Sequence, residues 1–189
     1  MQENHENPLT TGFTNGYKRE TDCKNLDKMA GNVVKLLVSK KIKISFAESC
    51  TGGLLAQALT AVSGASQVFD MGVCAYANRI KQEFLGVPAQ VLEEHGAVSA
   101  QTALWMARGI KKLSGADIGV SVTGIAGPTG GTKEKPVGTV YAGICYGEYE
   151  SSELLDLFEL ENKSRENIRL NTALAVFRKL TEILGDKTK

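Results

Sequence analysis

Histidine is nearly absent from this chain of 189 residues, which holds only His5 and His95. That disfavours metal chemistry and limits a Ser-His-Asp hydrolase to one of two bases. His5 lies in a polar tail, and His95, in Leu92-Glu-Glu-His-Gly-Ala97, reads as the surface end of a helix. The four cysteines, Cys23, Cys50, Cys74 and Cys145, form no CxxC pair, which excludes zinc-site spacing and argues against a disulfide framework in a cytosolic chain. No metal site and no cofactor are expected. Neither sign of charge dominates: 22 Lys+Arg face 21 Asp+Glu. The resulting +1 gives no broad positive field, so neither nucleic acid nor a membrane surface is an expected partner. No run approaches the roughly 18 apolar residues of a membrane span, and the start, Met1-Gln-Glu-Asn-His-Glu-Asn-Pro8, has neither the basic nor the apolar region of a signal peptide. A cytoplasmic location is expected.

What is present is a globular balance, 42% hydrophobic and 23% charged. The length suits one α/β domain, given about 100–200 residues per domain. Residues 1–26 contain no Ala, Val or Ile, so 1–27 reads as a mobile N-terminal extension ahead of a domain over 28–186. From about Leu26 to Ser39 the apolar residues recur at helical spacing. Lys41–Glu48 then alternates as a strand and runs through Ser49-Cys-Thr-Gly-Gly53 into a helix at Leu54–Leu59. Phe69–Tyr76 leads as a strand into a helix at Asn78–Leu85, and Ile118–Thr123 as a strand into a long loop, Gly124–Pro136. Between these lies a helix over Ser99–Ser114, with Ser99 at its N-cap and Gly115 past its end. Val137–Tyr146 and about Ser152–Glu159 read as antiparallel strands around Gly147, and Ser164–Leu184 as a last helix stopped by Gly185. This alternation implies an α/β fold, a mixed sheet with helices on both faces in a three-layer α/β/α sandwich.

Two glycine-dense turns follow strand ends, where open α/β sheets bind ligands. In Glu48-Ser-Cys-Thr-Gly-Gly53 a hydroxyl stands between a strand and a helix, where backbone N–H groups can hold an oxyanion or a phosphate. Equally, Ser49 and Thr51 can simply cap the helix. The second turn, Thr123-Gly-Ile-Ala-Gly-Pro-Thr-Gly-Gly131, lets amides approach an anion but matches neither the Walker A nor the GxGxxG pattern. In Tyr76-Ala-Asn-Arg-Ile-Lys81 the helix brings Tyr76 and Lys81 about a turn apart. A buried lysine beside a serine can act as its base, although most lysines on short helices are solvated. Neither SxxK nor GxSxG occurs at Ser49. Cys50 reads as an inert small residue in a tight turn.

Five segments in order, Ala47-Glu-Ser-Cys-Thr-Gly-Gly53, Tyr76-Ala-Asn-Arg-Ile-Lys81 with Leu85-Gly-Val87, His95-Gly-Ala-Val-Ser99, Gly124-Ile-Ala-Gly-Pro-Thr-Gly-Gly131 and Glu134-Lys-Pro-Val-Gly-Thr-Val140, closely resemble the CinA C-terminal domain family. The resemblance covers about residues 28–184. It implies a usually dimeric α/β sandwich, and a metal-free hydrolysis of the carboxamide of nicotinamide mononucleotide (NMN) to nicotinic acid mononucleotide and ammonia, as in the NMN amidohydrolases of that family. Some members carry a further N-terminal domain, for which residues 1–27 are too short, so the chain looks like the stand-alone form. By position, Ser49 matches the family nucleophile, Lys81 its base, and Tyr76 a hydroxyl assisting proton transfer. The resemblance further implies an oxyanion hole from the amides of Cys50, Thr51, Gly52 and Gly53. It places a nucleotide site at Asn78, Thr123, Gly124, Gly127, Gly130 and Gly131, and a phosphate contact at Arg165, where the family often has Gly-Asp-Arg and this chain has Asn162-Lys-Ser-Arg165. Alternatives from the same fold are a nucleotide-binding domain without turnover, or an amidohydrolase acting on free nicotinamide or its riboside.

Overall fold

A computed structural model describes residues 23–158 and 160–185. The first helix, α1, spans Cys23–Lys40. It begins three residues ahead of the expected Leu26, so the buried stripe Leu26, Ala30, Val33 and Leu37 has about one further helical turn in front of it. The last residues of the expected extension are therefore helical, and the rest of it, 1–22, lies outside the described residues.

Five strands form one sheet: β1 Ile44–Glu48, β2 Phe69–Cys74, β3 Ile118–Gly124, β4 Val140–Tyr146 and β5 Tyr149–Leu154. Their order is β2-β1-β3-β4-β5. β1 runs parallel to β2 and β3, and the β3–β4 and β4–β5 pairs are antiparallel. The sheet is thus mixed, as expected. β5 starts three residues ahead of the expected Ser152, since Tyr146 pairs with Tyr149 across a tight turn that has Gly147 at φ 57°.

The helices are α2 Leu54–Thr60, α3 Asn78–Leu85, α4 Ala89–His95, α5 Ala100–Ser114 and α6 Arg165–Gly185, with a 3-10 turn at Ala65–Gln67. Ser99 caps α5 by accepting the Thr102 N–H, and Ser164 does the same for α6 through Asn167. α1, α2 and α6 cover one face of the sheet, where Phe46 meets the rings of Phe69 and Phe177 at 5.5 and 6.3 Å. α3, α4 and α5 cover the other, where Ala47 packs with Met106 and Ile110. That second face is floored with small residues, so α5 rides close on the strands. A Cβ at Gly119 would stand 2.3 Å from the Ala107 carbonyl oxygen, and one at Gly143 2.6 Å from that of Ala103. Among the described residues no helix is long and apolar enough to cross a membrane.

The topology fixes where a site can lie. From β1 the chain crosses to β2 on one side and later to β3 on the other, and such a switch point leaves a crevice beyond the carboxyl ends of the strands. The turns after β1, β2 and β3 all open there.

Candidate active site

Ser49 is the first residue beyond β1 and is 8% exposed. Its N–H still bonds to the Val122 carbonyl of β3 at 3.0 Å, which anchors it to the sheet. Lys81 lies on α3 and is 1% exposed. Its Nζ reaches three oxygens: Ala75 O at 2.7 Å, Tyr76 O at 3.1 Å and Ser49 Oγ at 3.2 Å. Burial pulls the Lys81 pKa below the usual lysine range, an effect partly opposed by the Cys50 thiol beside it. No carboxylate forms an ion pair with it among the described residues. A neutral amine has two N–H bonds and one lone pair. In the neutral form the two carbonyls would take the N–H bonds and leave the lone pair for the Ser49 hydroxyl.

The turn that carries Ser49 is held from both sides. Glu48, ending β1 and buried, accepts N–H bonds from Gly53 at 2.9 Å, Leu55 at 3.1 Å and Ala56 at 2.9 Å, and so caps α2. Arg169 of α6 donates two N–H bonds to the Thr51 carbonyl, at 3.0 and 2.6 Å. Gly52 N bonds to Ser49 O and Leu54 N to Thr51 O. Of the amides expected to hold an oxyanion, those of Gly52 and Gly53 are therefore occupied. Those of Cys50 and Thr51 make no hydrogen bond to a backbone carbonyl among the described residues, and the Cys50 N–H lies against its own sulfur. The Thr51 hydroxyl is likewise buried with no partner there. Burial pushes the Cys50 thiol up to about 12, so it stays protonated and is no rival nucleophile.

The remaining expected residues divide. The Tyr76 side chain is 63% exposed, and its hydroxyl accepts from Arg165 Nη2 at 3.3 Å rather than bonding to Ser49 or Lys81. Arg165 also donates to the Gly127 carbonyl at 3.1 Å, so it ties the β3 loop to the segment after β2. Asn78 opens α3, exposed and without a side-chain hydrogen bond among the described residues. Thr123 is buried, and its hydroxyl donates to the Ala97 carbonyl at 2.7 Å, which fastens the segment before α5. Gly124 and Gly127 stand against Val140 and Val137, whereas Gly130 and Gly131 are exposed at the loop tip. Lys135 pins that loop by donating to His95 O at 2.9 Å and Val98 O at 2.7 Å. A separate cleft of about 280 Å³ lies behind the Ser49 turn, between α1, α2 and α6, and shares Arg169 with it.

Glu48, Arg169 and Lys135 escaped the reading of the sequence. An acid shortly before a helix is a recognisable dipole partner, so Glu48 left a signal. Arg169 and Lys135 act on backbone carbonyls far away in sequence, and residue type does not encode that.

Residues 26–184 match the CinA C-terminal domain family. A competence-damage inducible protein of Caldicellulosiruptor bescii is 52% identical over 143 residues, covering 72% of this chain and 35% of that protein. A CinA-like protein of Cytophaga hutchinsonii is 49% identical over 150 residues, covering 79% and 35%. The chain thus matches about a third of the length of these curated relatives. Among solved structures, the competence/damage inducible protein CihA of Agrobacterium tumefaciens is similar, at 37% identity with a TM-score of 0.80 over 86% of this chain and 96% of that one. The competence damage-inducible protein A of Klebsiella pneumoniae superposes with the same TM-score at 31% identity, over 86% and 98%. By sequence and by fold, this chain belongs to the CinA C-terminal domain family.

Proposed function

We propose that the chain is a nicotinamide-nucleotide amidohydrolase, releasing ammonia from the carboxamide of NMN with Ser49 as nucleophile and Lys81 as base. The observation that carries this reading is the 3.2 Å approach of a buried, desolvated lysine amine to a serine oxygen at a strand end. Neutral Lys81 takes the proton from Ser49 Oγ as that oxygen attacks the carboxamide carbon. The oxyanion that forms lies beside the undonated N–H groups of Cys50 and Thr51. Lys81 then returns its proton to the leaving nitrogen, the C–N bond breaks, and ammonia departs. A water molecule attacks the resulting ester and gives a proton to the same amine, which returns it to Ser49 Oγ as the ester C–O bond breaks; the freed carboxylic acid then ionises in solvent. Tyr76, paired with Arg165, takes no proton in this scheme, and Arg165, exposed beside that hydroxyl, is the residue we assign to the nucleotide phosphate. The test is product analysis: nicotinic acid mononucleotide and ammonia are expected in equal amounts from NMN, and their absence from a folded preparation would end the proposal.

A further inference from the structure

We infer that Glu48 is a positioning residue for the nucleophile turn, holding Ser49 and the two undonated amides in working geometry through the backbone of α2. The inference rests on the amidohydrolase reading. α2 has no cap of its own: its N-cap residue is Gly53, at φ 94°, with no side chain to offer. The carboxylate comes instead from the strand end, five residues back, and is 1% exposed. One oxygen takes the N–H groups of Gly53 and Leu55 and the other takes that of Ala56. A buried carboxylate with three N–H donors is well satisfied, and its charge meets the positive end of the helix.

The consequence for chemistry lies in which donors remain. Ser49 N goes to β3 and Gly52 N and Leu54 N close the turn on itself, so Glu48 removes the other forward-facing donors of the helix start. Among the described residues, the backbone amides of the turn left to meet a developing oxyanion are those of Cys50 and Thr51, beside the unpartnered Thr51 hydroxyl. Without the carboxylate, the N–H groups of Gly53, Leu55 and Ala56 would compete for that oxygen or for water, and the turn would lose its link to the sheet end that carries Ser49. The geometry is exacting. Glu48→Gln turns one acceptor oxygen into an N–H₂ facing an N–H, and Glu48→Asp withdraws the carboxylate by one methylene.

The test compares Glu48→Gln and Glu48→Asp with the wild-type chain in NMN hydrolysis, in thermal unfolding, and in the rate at which a fluorophosphonate labels Ser49. In both folded variants kcat is expected to fall about 100-fold with KM changed by less than about threefold, as for a displaced reacting group. Labelling should slow in parallel. A variant that melts earlier but keeps wild-type kcat and labelling per folded molecule would make Glu48 a helix cap only and overturn the inference. If Glu48→Gln does not fold, Glu48→Asp decides on the same criteria. Should the wild-type chain leave NMN untouched, the substrate reading fails while the probe still decides: slower labelling in the variants supports the positioning role, and equal labelling refutes it. A wild-type chain that neither hydrolyses NMN nor labels at Ser49 refutes both.

Discussion

The Arg165 guanidinium and the Tyr76 hydroxyl, far apart in sequence, meet at 3.3 Å, and the same guanidinium donates to the Gly127 carbonyl at 3.1 Å. One cation therefore links the segment after β2 to the glycine loop after β3. If it also meets the substrate phosphate, Arg165→Ala should raise KM for NMN roughly 10–100-fold, the range of a charge-assisted hydrogen bond, and lower kcat much less. Tyr76→Phe removes one hydrogen bond and should cost only about 2–10-fold in kcat/KM. A collapse of kcat in Tyr76→Phe would put its hydroxyl back in the proton path. Steady-state kinetics of the two variants separate these outcomes.

Lys81 links activity and stability to pH in the same direction. Its folded pKa lies below the ordinary 10.5, so between the two values the unfolded chain binds more protons than the folded one. Stability from this group is thus lost at lower pH and regained as pH rises through that window, and kcat/KM should climb as the amine deprotonates. Lys81→Met removes the titration. The unfolding midpoint of the variant minus that of the wild type should be most positive near neutral pH and shrink toward pH 10.5. The two carbonyls left without a donor add a penalty that does not vary with pH. A gap that is flat or widens with pH would contradict a depressed lysine. Lys81→Arg should be inactive throughout, because a guanidinium does not give up its proton.

Gly109, in the middle of α5, sets helix propensity against packing. Replacing a helical glycine with alanine ordinarily gains about 1 kcal/mol. Here the new Cβ would stand 2.0 Å from the Leu85 carbonyl oxygen at the end of α3, and backbone cannot move aside cheaply. Overpacking of this kind costs about 1–3 kcal/mol, so the net effect of Gly109→Ala should be destabilising, measured as a lower urea midpoint. Because α3 carries Lys81, activity should fall with it. A stabilised variant would show that α3 yields.

The described thiols differ in reach. Cys50 and Cys145 are buried, with burial pushing them up to about 12 and about 11, whereas Cys74 is exposed. Iodoacetamide near pH 7.5 should modify Cys74 well before the other two, as read by peptide mass mapping, and Cys50→Ala should keep most of the activity. Early labelling of Cys50 would mean that the turn opens.

Much of the fold was legible because periodicity and caps are local. Asn78–Leu85 matched residue for residue, and Ser99 and Ser164 capped the helices assigned to them. The boundaries that slipped, at α1 and β5, carry no apolar signal of their own: the first turn of α1 precedes the buried stripe, and β5 starts where the tight turn at Gly147 ends. Within the site, the turn after β1 showed itself through its glycines. The Lys81–Ser49 meeting did not, since they stand 32 positions apart with a whole strand between them and only the family resemblance joined them. The bond from the Thr123 hydroxyl to the Ala97 carbonyl was not legible either, because it joins residues 26 positions apart.

The most direct test of the central claim is ammonia release from NMN by the purified chain and by Ser49→Ala, each with and without EDTA. Release by the wild type should resist EDTA, and Ser49→Ala, folded normally, should lose at least about 1,000-fold, as for removal of a nucleophile. Retention of more than about a tenth of the wild-type rate in Ser49→Ala would contradict the claim.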